Sequence, residues 1–472
     1  MIDLLKHDSD KLPEIFEEVV TQSIGYLNDI NKRSTNSQYN SGSFSALPET
    51  GLGTLETIHR FNQKFEPGII ATSGPRYLGF AIGGTTPAAI AGDWLTAVYD
   101  QVPFAAQDHS GIAVKIELEA IVLLRDLLRL PDTFRGGFVS GATMANFTGL
   151  ATARQWWGLQ YGKDIAKDGM DDSIKILAAT AHSSVVKCLS MLGIGSRNIQ
   201  MIKTVSADRE AVCINGLIEK IEQLNGEPFL LVSSAGTVNT VDFDDLHSVS
   251  ALREKYKFWW HIDAAFGAFA VCSPGYAHLL EGWEKADSIA VDCHKWLNVP
   301  YESAVAFIHH SHQQLQVNTF QNSNAPYLGD PLVNFSYMNF LPENSRRLKA
   351  LPAWFTLMAY GKTGYQSIVE NCIERAFQLG DYITTSKHFE LLAEIRLNTV
   401  CFTLKGSAPA ERIDNILASI NSSNKVFMTP TFFNGRKGIR AAFVNWRSSS
   451  EDVEIIISVL EEVVASKHSI PL

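Results

Sequence analysis

The sequence predicts an α/β protein with a mainly parallel central sheet flanked by helices, followed by a smaller C-terminal α+β domain. Three observations carry this expectation. From Phe138 onward, short apolar runs (IKILAAT, NIQMIKTV, PFLLVSS, FWWHIDAAF, SIAVDC and SAVAFIHH) alternate with helical stretches such as INGLIEKIEQLNG. That is the pattern of doubly buried strands joined by crossover helices. After about residue 345 the pattern changes to a helix around WFTLMAYGKTGYQSIVENCIERA, strands near IRLNTVCFTLK and GIRAAFVNW, and a final helix. The third observation is size: 472 residues, 46% hydrophobic and 19% charged, suffice for a large globular core with smaller companions.

Taken in order, residues 1 to about 30 read as an amphipathic helix, and Asn28 to Phe44 as a polar, exposed connection. TPAAIAGDWLTAVYDQ and VKIELEAIVLLRDLLRL both space their apolar residues helically and open the large domain. The expected divisions are therefore an N-terminal helical segment (1–84), a large domain (85–344) and a small C-terminal domain (345–472). Ser449 stands three residues before Asp452 at the head of the last helix, the spacing of a capping box. No internal repeat is evident.

Composition excludes several classes. A formal net charge of -10 leaves no basic footprint for neutralising phosphates, so nucleic acid is not an expected partner. The six cysteines lack the close pairs that mark zinc or redox sites, so no metal is expected and reduced thiols in a cytoplasm fit best. The N-terminus mixes acids into its apolar positions, unlike a signal peptide, and no run reaches membrane-spanning length.

Four segments carry candidate chemistry. In GGFVSGATMANFTGLATAR, small residues from Ser140 to Thr143 would let backbone amides approach an anion such as phosphate at a helix N-terminus; an ordinary tight turn reads equally well. In FWWHIDAAFGAF, Asp263 ends an apolar strand, where a carboxylate faces the crevice that binds ligands. Buried there it needs a cationic or hydrogen-bonding partner, such as a protonated pyridine nitrogen, unless it merely caps a helix. In SIAVDCHKWLNVPYES, Lys295 lies just beyond a strand between apolar flanks, and desolvated lysine attacks carbonyls and holds aldehydes as Schiff bases. His294 beside it could donate to a phosphate. In TAHSSVVKCLSMLGIG, His182 follows a strand, where an imidazole could stack on a planar ring or serve structure alone.

In combination and in this order, these segments resemble the group II pyridoxal-phosphate-dependent amino-acid decarboxylases of fold type I, from about Gly74 to the final helix. His294-Lys295-Trp296 is similar to the family's HKW segment, Asp263-Ala264-Ala265 to its strand end, and Ala181-His182-Ser183-Ser184 to its A-H-S-S segment. Ser234-Ala235-Gly236-Thr237 looks like its A-T-x-G-T stretch, and Ser345-Arg346-Arg347 with Ala353-Trp354-Phe355 is similar to the residues after its mobile loop. That loop then falls at about 318–340, where Pro326-Tyr327-Leu328 resembles the segment supplying a proton-donating tyrosine, with Tyr337 as competitor.

The resemblance implies a fold-type I, transferase-like architecture and pyridoxal 5'-phosphate held on Lys295 as a Schiff base. Asp263 would keep the pyridine nitrogen protonated, and His182 would stack on the ring. Ala142, Thr143 and His294 would hold the phosphate, with Ser234 and Ala265 nearby. Tyr327 would protonate the α-carbon after carbon dioxide leaves. It also implies a homodimer with shared sites, and a substrate pocket drawing on Tyr77, Phe80, Gln101 and Phe104. The substrate is a small molecule, an amino acid whose side chain, aromatic, acidic or other, is left open. Aminotransfer, carbon-carbon cleavage and aldehyde-forming oxidative decarboxylation share the cofactor and the lysine and stand as alternatives.

Overall fold

In the computed structural model, residues 2–40, 42–103, 111–170, 173–321, 330–406 and 408–467 are described. A seven-stranded sheet has the order β1 (Phe134–Val139), β7 (Ala304–His309), β6 (Ser288–Asp292), β5 (Phe258–Asp263), β4 (Phe229–Ser234), β2 (Lys175–Ala178), β3 (Ile199–Met201). Strands β6, β5, β4, β2 and β3 pair in parallel, while β7 runs antiparallel to both β6 and β1. Every residue of β4 and β5 is buried. This is why their sequences are near-continuous apolar runs rather than alternating ones.

Helices α1 (Ile2–Asp10) and α2 (Leu12–Asp29) replace the single N-terminal helix expected, with a break at Lys11 just before Pro13. A third helix, α3 (Thr54–Lys64), was not among the expected elements; it sets Leu55, Ile58 and Phe61 on one face at a spacing of three, yet none of its residues is buried in this chain. The two expected helices are α4 (Pro87–Tyr99) and α5 (Ala113–Leu127). Thr86 caps α4 by accepting from the Ala89 amide, and Pro87 fits the first turn because it has no amide to satisfy. Helix α6 (Ala142–Gln160) leaves β1 and lies across the sheet against β5, β6 and β7.

The C-terminal part holds a four-stranded antiparallel sheet ordered β10 (Thr429–Phe433), β11 (Arg436–Ala442), β9 (Thr399–Leu404), β8 (Phe389–Leu391). The helix Ala350–Thr385 bends at Gly361, whose φ of 56° suits glycine. Before the last helix, Ser449 and Asp452 bond reciprocally at 3.0 and 3.3 Å, the capping box expected from sequence. The segment before α4 docks on this part: Tyr77 bridges to Phe427, the Ala442 amide donates to Leu78, and Arg76 pairs with Asp452 at 2.6 Å. Among the described residues, no helix is long and apolar enough to cross a membrane.

Candidate active site

The parallel strands end on one cavity of about 750 Å³, bordered on the far side by Thr399, Arg440 and Ala442 of the small sheet. Register explains the convergence. Ser234 lies beside Asp263 and Asp263 beside Ala290, so β4, β5 and β6 stop in step and present Ser234, Asp263 and Asp292 together. Lys295, three residues past Asp292, is held between fully buried Cys293 and Trp296. Its Nζ lies 3.1 Å from Asp292 Oδ2. Gly83 is needed beside it, because a Cβ there would come within 1.6 Å of the Lys295 carbonyl oxygen.

Asp263 is buried, and its carboxylate is met by neutral donors: Asn146 Nδ2 at 3.1 Å on one oxygen and the Ala265 amide at 3.2 Å on the other. A buried anion with only neutral partners is a site for a cation. His182 borders the same cavity, with Nδ1 2.8 Å from Ser184 Oγ. Burial pulls its pKa below the ordinary value, outweighing the pull of Asp263 the other way, so the imidazole is neutral at neutral pH.

At the start of α6 the Ala142 amide donates to Asp292 Oδ1 at 2.6 Å, so of the three residues expected to hold phosphate Ala142 is already engaged, and Thr143 follows it on the cavity wall. His294 Nδ1 accepts the Ser303 amide at 3.1 Å, which leaves Nε2 as its donor side, 3.5 Å from Asp292 Oδ1. Burial depresses its pKa as well. Ser234 Oγ donates to the Thr180 carbonyl at 2.8 Å.

The expected substrate residues separate. Phe80 lines the cavity with a positive φ of 58°. Tyr77 is instead stacked on Phe427 at 4.5 Å and does not line the cavity, because its strand-like bridge turns the ring into the small domain. Gln101 is exposed and bonds the Tyr99 carbonyl in its own turn. Phe104 and Tyr327 lie outside the described residues. Tyr337 is buried away from the cavity: its hydroxyl bonds the Gly136 carbonyl at 3.3 Å, Arg346 covers its ring, and burial raises its pKa well above 10.

Sequence reasoning passed over Arg440, Glu210 and Asn146. Arg440 and Ala442 share one face of β11 at period two, and a lone arginine in the apolar run GIRAAFVNW was the available signal. Glu210 is tied down by Thr237, Thr240 and Asn239.

An amine able to hold an aldehyde, a buried carboxylate suited to a pyridinium, a flat neutral imidazole and a helix N-terminus around one cavity fit pyridoxal 5'-phosphate. The geometry is that of a fold-type I pyridoxal-phosphate enzyme. Oryza sativa TDC, solved with PLP and tryptamine, superposes with a TM-score of 0.88 at 20% identity over 97% of this chain and 98% of that one, a likeness of fold. Residues 43–405 match the pyridoxal-dependent decarboxylase conserved domain, and the chain belongs to that family. It is 28% identical to an aromatic-L-amino-acid decarboxylase of Bacillus atrophaeus, over 86% of this chain and 85% of that protein. To tyrosine decarboxylase 2 of Arabidopsis thaliana it is 26% identical, over 84% and 75%. The protein is a pyridoxal-phosphate-dependent amino-acid decarboxylase.

Proposed function

We propose that the chain converts an aromatic L-amino acid to its amine and carbon dioxide, with the cofactor held on Lys295. The observation that carries this is the meeting of Lys295, Asp263 and His182 on one cavity. When bound, the cofactor supplies the electron sink for the carbon-carbon bond that breaks. Asp263 holds the proton on the pyridine nitrogen, and His182 packs on the ring. Thr143, the α6 amides and His294 take the phosphate, with Ala142, Ser234 and Ala265 shaping its surroundings. Besides Lys295, Arg440 is the arginine or lysine among the described lining residues, and it orients the substrate carboxylate. Tyr327 delivers the proton to the α-carbon; the engagement of Tyr337 with Gly136 supports that choice.

The aromatic preference rests on the names of the curated relatives and on Phe80, an exposed residue that lines the cavity. A homodimer is supported by apolar side chains left exposed on α2 and α4, among them Phe16, Ile24, Trp94 and Tyr99. Six unpaired cysteines support a cytoplasmic setting. The division into 1–84, 85–344 and 345–472 is kept, with residues 76–78 as the tether between the first and the last.

The test loads purified protein with pyridoxal phosphate and supplies L-tryptophan, L-tyrosine, L-phenylalanine, L-glutamate and L-aspartate separately. Amine and carbon dioxide from the aromatic substrates are expected. Keto acid as product would overturn decarboxylation in favour of aminotransfer, and turnover of the acidic substrates alone would overturn the aromatic preference.

A further inference from the structure

Beneath the cavity floor a chain of buried polar groups runs from β5 and β6 into α6. Trp259, His261 and Asp263 point to one face of β5, as alternate residues of a strand must. Trp259 Nε1 lies 2.9 Å from Ser288 Oγ, Ser288 Oγ 2.8 Å from His261 Nδ1, and His261 Nε2 2.9 Å from Asn146 Oδ1. Asn146 Nδ2 then reaches Asp263 Oδ2 and Ser184 Oγ, each at 3.1 Å. Trp259, His261, Ser288 and Asn146 are all 1% exposed or less.

We propose that Asn146 is a positioning residue that ties the Asp263 carboxylate and the His182 ring to one hydrogen-bond chain with a single allowed arrangement of protons. The inference rests on the roles given above to Asp263 and His182. The proton order follows from the two ends. An indole nitrogen only donates, so Ser288 accepts from Trp259 and has its own hydrogen free for His261 Nδ1. A neutral His261 then carries its hydrogen on Nε2 and gives it to Asn146 Oδ1. Burial keeps that ring neutral, with its pKa down at about 4.

From the other end, a carboxylate only accepts, so Asp263 demands the amide nitrogen of Asn146. The Asp263 end thus fixes the amide orientation, and the Trp259 end is compatible with it. The second amide hydrogen goes to Ser184, whose hydroxyl turns its hydrogen to His182 Nδ1, where the Ser184 backbone amide also donates. His182 is left with its proton on Nε2.

The consequence concerns where a proton sits. Hydrogen bonds donated to a carboxylate favour its ionised form. Asp263, receiving Asn146 and the Ala265 amide, therefore leaves a proton shared with a pyridine nitrogen on the nitrogen. Gly149, one turn along α6 from Asn146, makes the approach possible: a Cβ there would stand 2.8 Å from His261 Nδ1 and 3.0 Å from Ser288 Oγ.

The test uses holoenzyme loaded with pyridoxal phosphate carrying ¹⁵N at the ring nitrogen and compares Asn146→Leu, Asp263→Asn and Ser184→Ala with the parent. Asn146→Leu is expected to move the ¹⁵N resonance toward unprotonated pyridine and to weaken cofactor binding roughly 10- to 100-fold, as loss of a hydrogen bond to a charged group does. Ser184→Ala, which cuts the His182 branch alone, is expected to leave that resonance in place. A parental resonance in Asn146→Leu alongside a shifted one in Asp263→Asn overturns the role of Asn146. A parental resonance in Asp263→Asn overturns the reading of Asp263 itself. Should Asn146→Leu fail to fold, Asn146→Ala removes the same amide without adding bulk, and an unshifted resonance there overturns the proposal equally.

Discussion

Replacing Gly149 by alanine sets helix propensity against packing, and the structure decides the sign. In mid-helix, alanine is favoured over glycine by about 1 kcal/mol. Against that, the new Cβ would meet His261 Nδ1 at 2.8 Å, His261 Cε1 at 2.9 Å and Ser288 Oγ at 3.0 Å, all well inside ordinary contact. His261 is fully buried and bonded on both ring nitrogens, so it has no free rotamer to escape into. Overpacking of this kind costs about 1–3 kcal/mol, and losing the His261–Ser288 bond adds about 1 kcal/mol. The net expectation is destabilisation by roughly 1–3 kcal/mol, opposite to what propensity alone gives. Urea unfolding of the cofactor-free protein measures it. A variant as stable as the parent, or more so, would show that α6 is not pressed against His261 and would refute the packing argument.

Three further outcomes are expected. Burial holds the His261 pKa at about 4, against an ordinary 6.5, so below pH 6.5 the unfolded chain takes up a proton that the folded one refuses. Stability is therefore lost as pH falls from about 6.5 toward 4, by up to about 3 kcal/mol from this group; urea midpoints against pH should flatten in His261→Phe, and parallel curves would contradict the assignment. Arg346→Met should cost about 3–5 kcal/mol, because Glu117, fully buried and bonded to Arg346 by two contacts of 2.8 Å, would keep a charge with only the Phe138 amide beside it. Thermal unfolding checks this, and Glu117→Leu in the same chain should recover much of the loss. Tyr327→Phe should retain cofactor while cutting amine formation by roughly 100-fold or more, whereas Tyr337→Phe should leave it near the parent rate. Amine and aldehyde yields measured side by side would reverse the assignment if the two variants exchanged behaviour.

The residues at strand ends were legible because their signal is local. Asp263 ends one largely apolar strand and Lys295 stands three residues past the end of another, and the physics of parallel sheets puts such residues at the crevice. Asn146 and Arg440 were not legible in the same way. Asn146 sits inside a helix, where a polar residue reads as solvent-facing until the helix is known to lie across the ends of β5 and β6. Arg440 comes from a strand of the second sheet, and only tertiary packing brings it to the cavity. Tyr77 misled for the same reason: the motif around it is right for a pocket, but a backbone bridge to Phe427 decides which way the ring turns. The long loop resemblance offered two tyrosines, and burial beneath Arg346 separates one of them from the cavity.

What organises the site is the crossing of two periodicities. Strand β5 offers a row at period two, Trp259, His261 and Asp263, and helix α6 offers a stripe at spacings of four and three, Ala142, Asn146 and Gly149. The Ala142 amide meets Asp292, the Asn146 amide meets Asp263, and the bare Gly149 admits His261 and Ser288. Each contact depends on the pitch of the other element, so sliding α6 by one residue would replace Asn146 with Ala145 or Phe147 at the carboxylate and put a side chain where Gly149 now leaves room. In the function proposed above, the same helix would present its first turn to the phosphate and, one turn later, hold the carboxylate that would face the pyridine nitrogen. The distance between those two tasks is set by helical rise, about 1.5 Å per residue, rather than by any flexible loop.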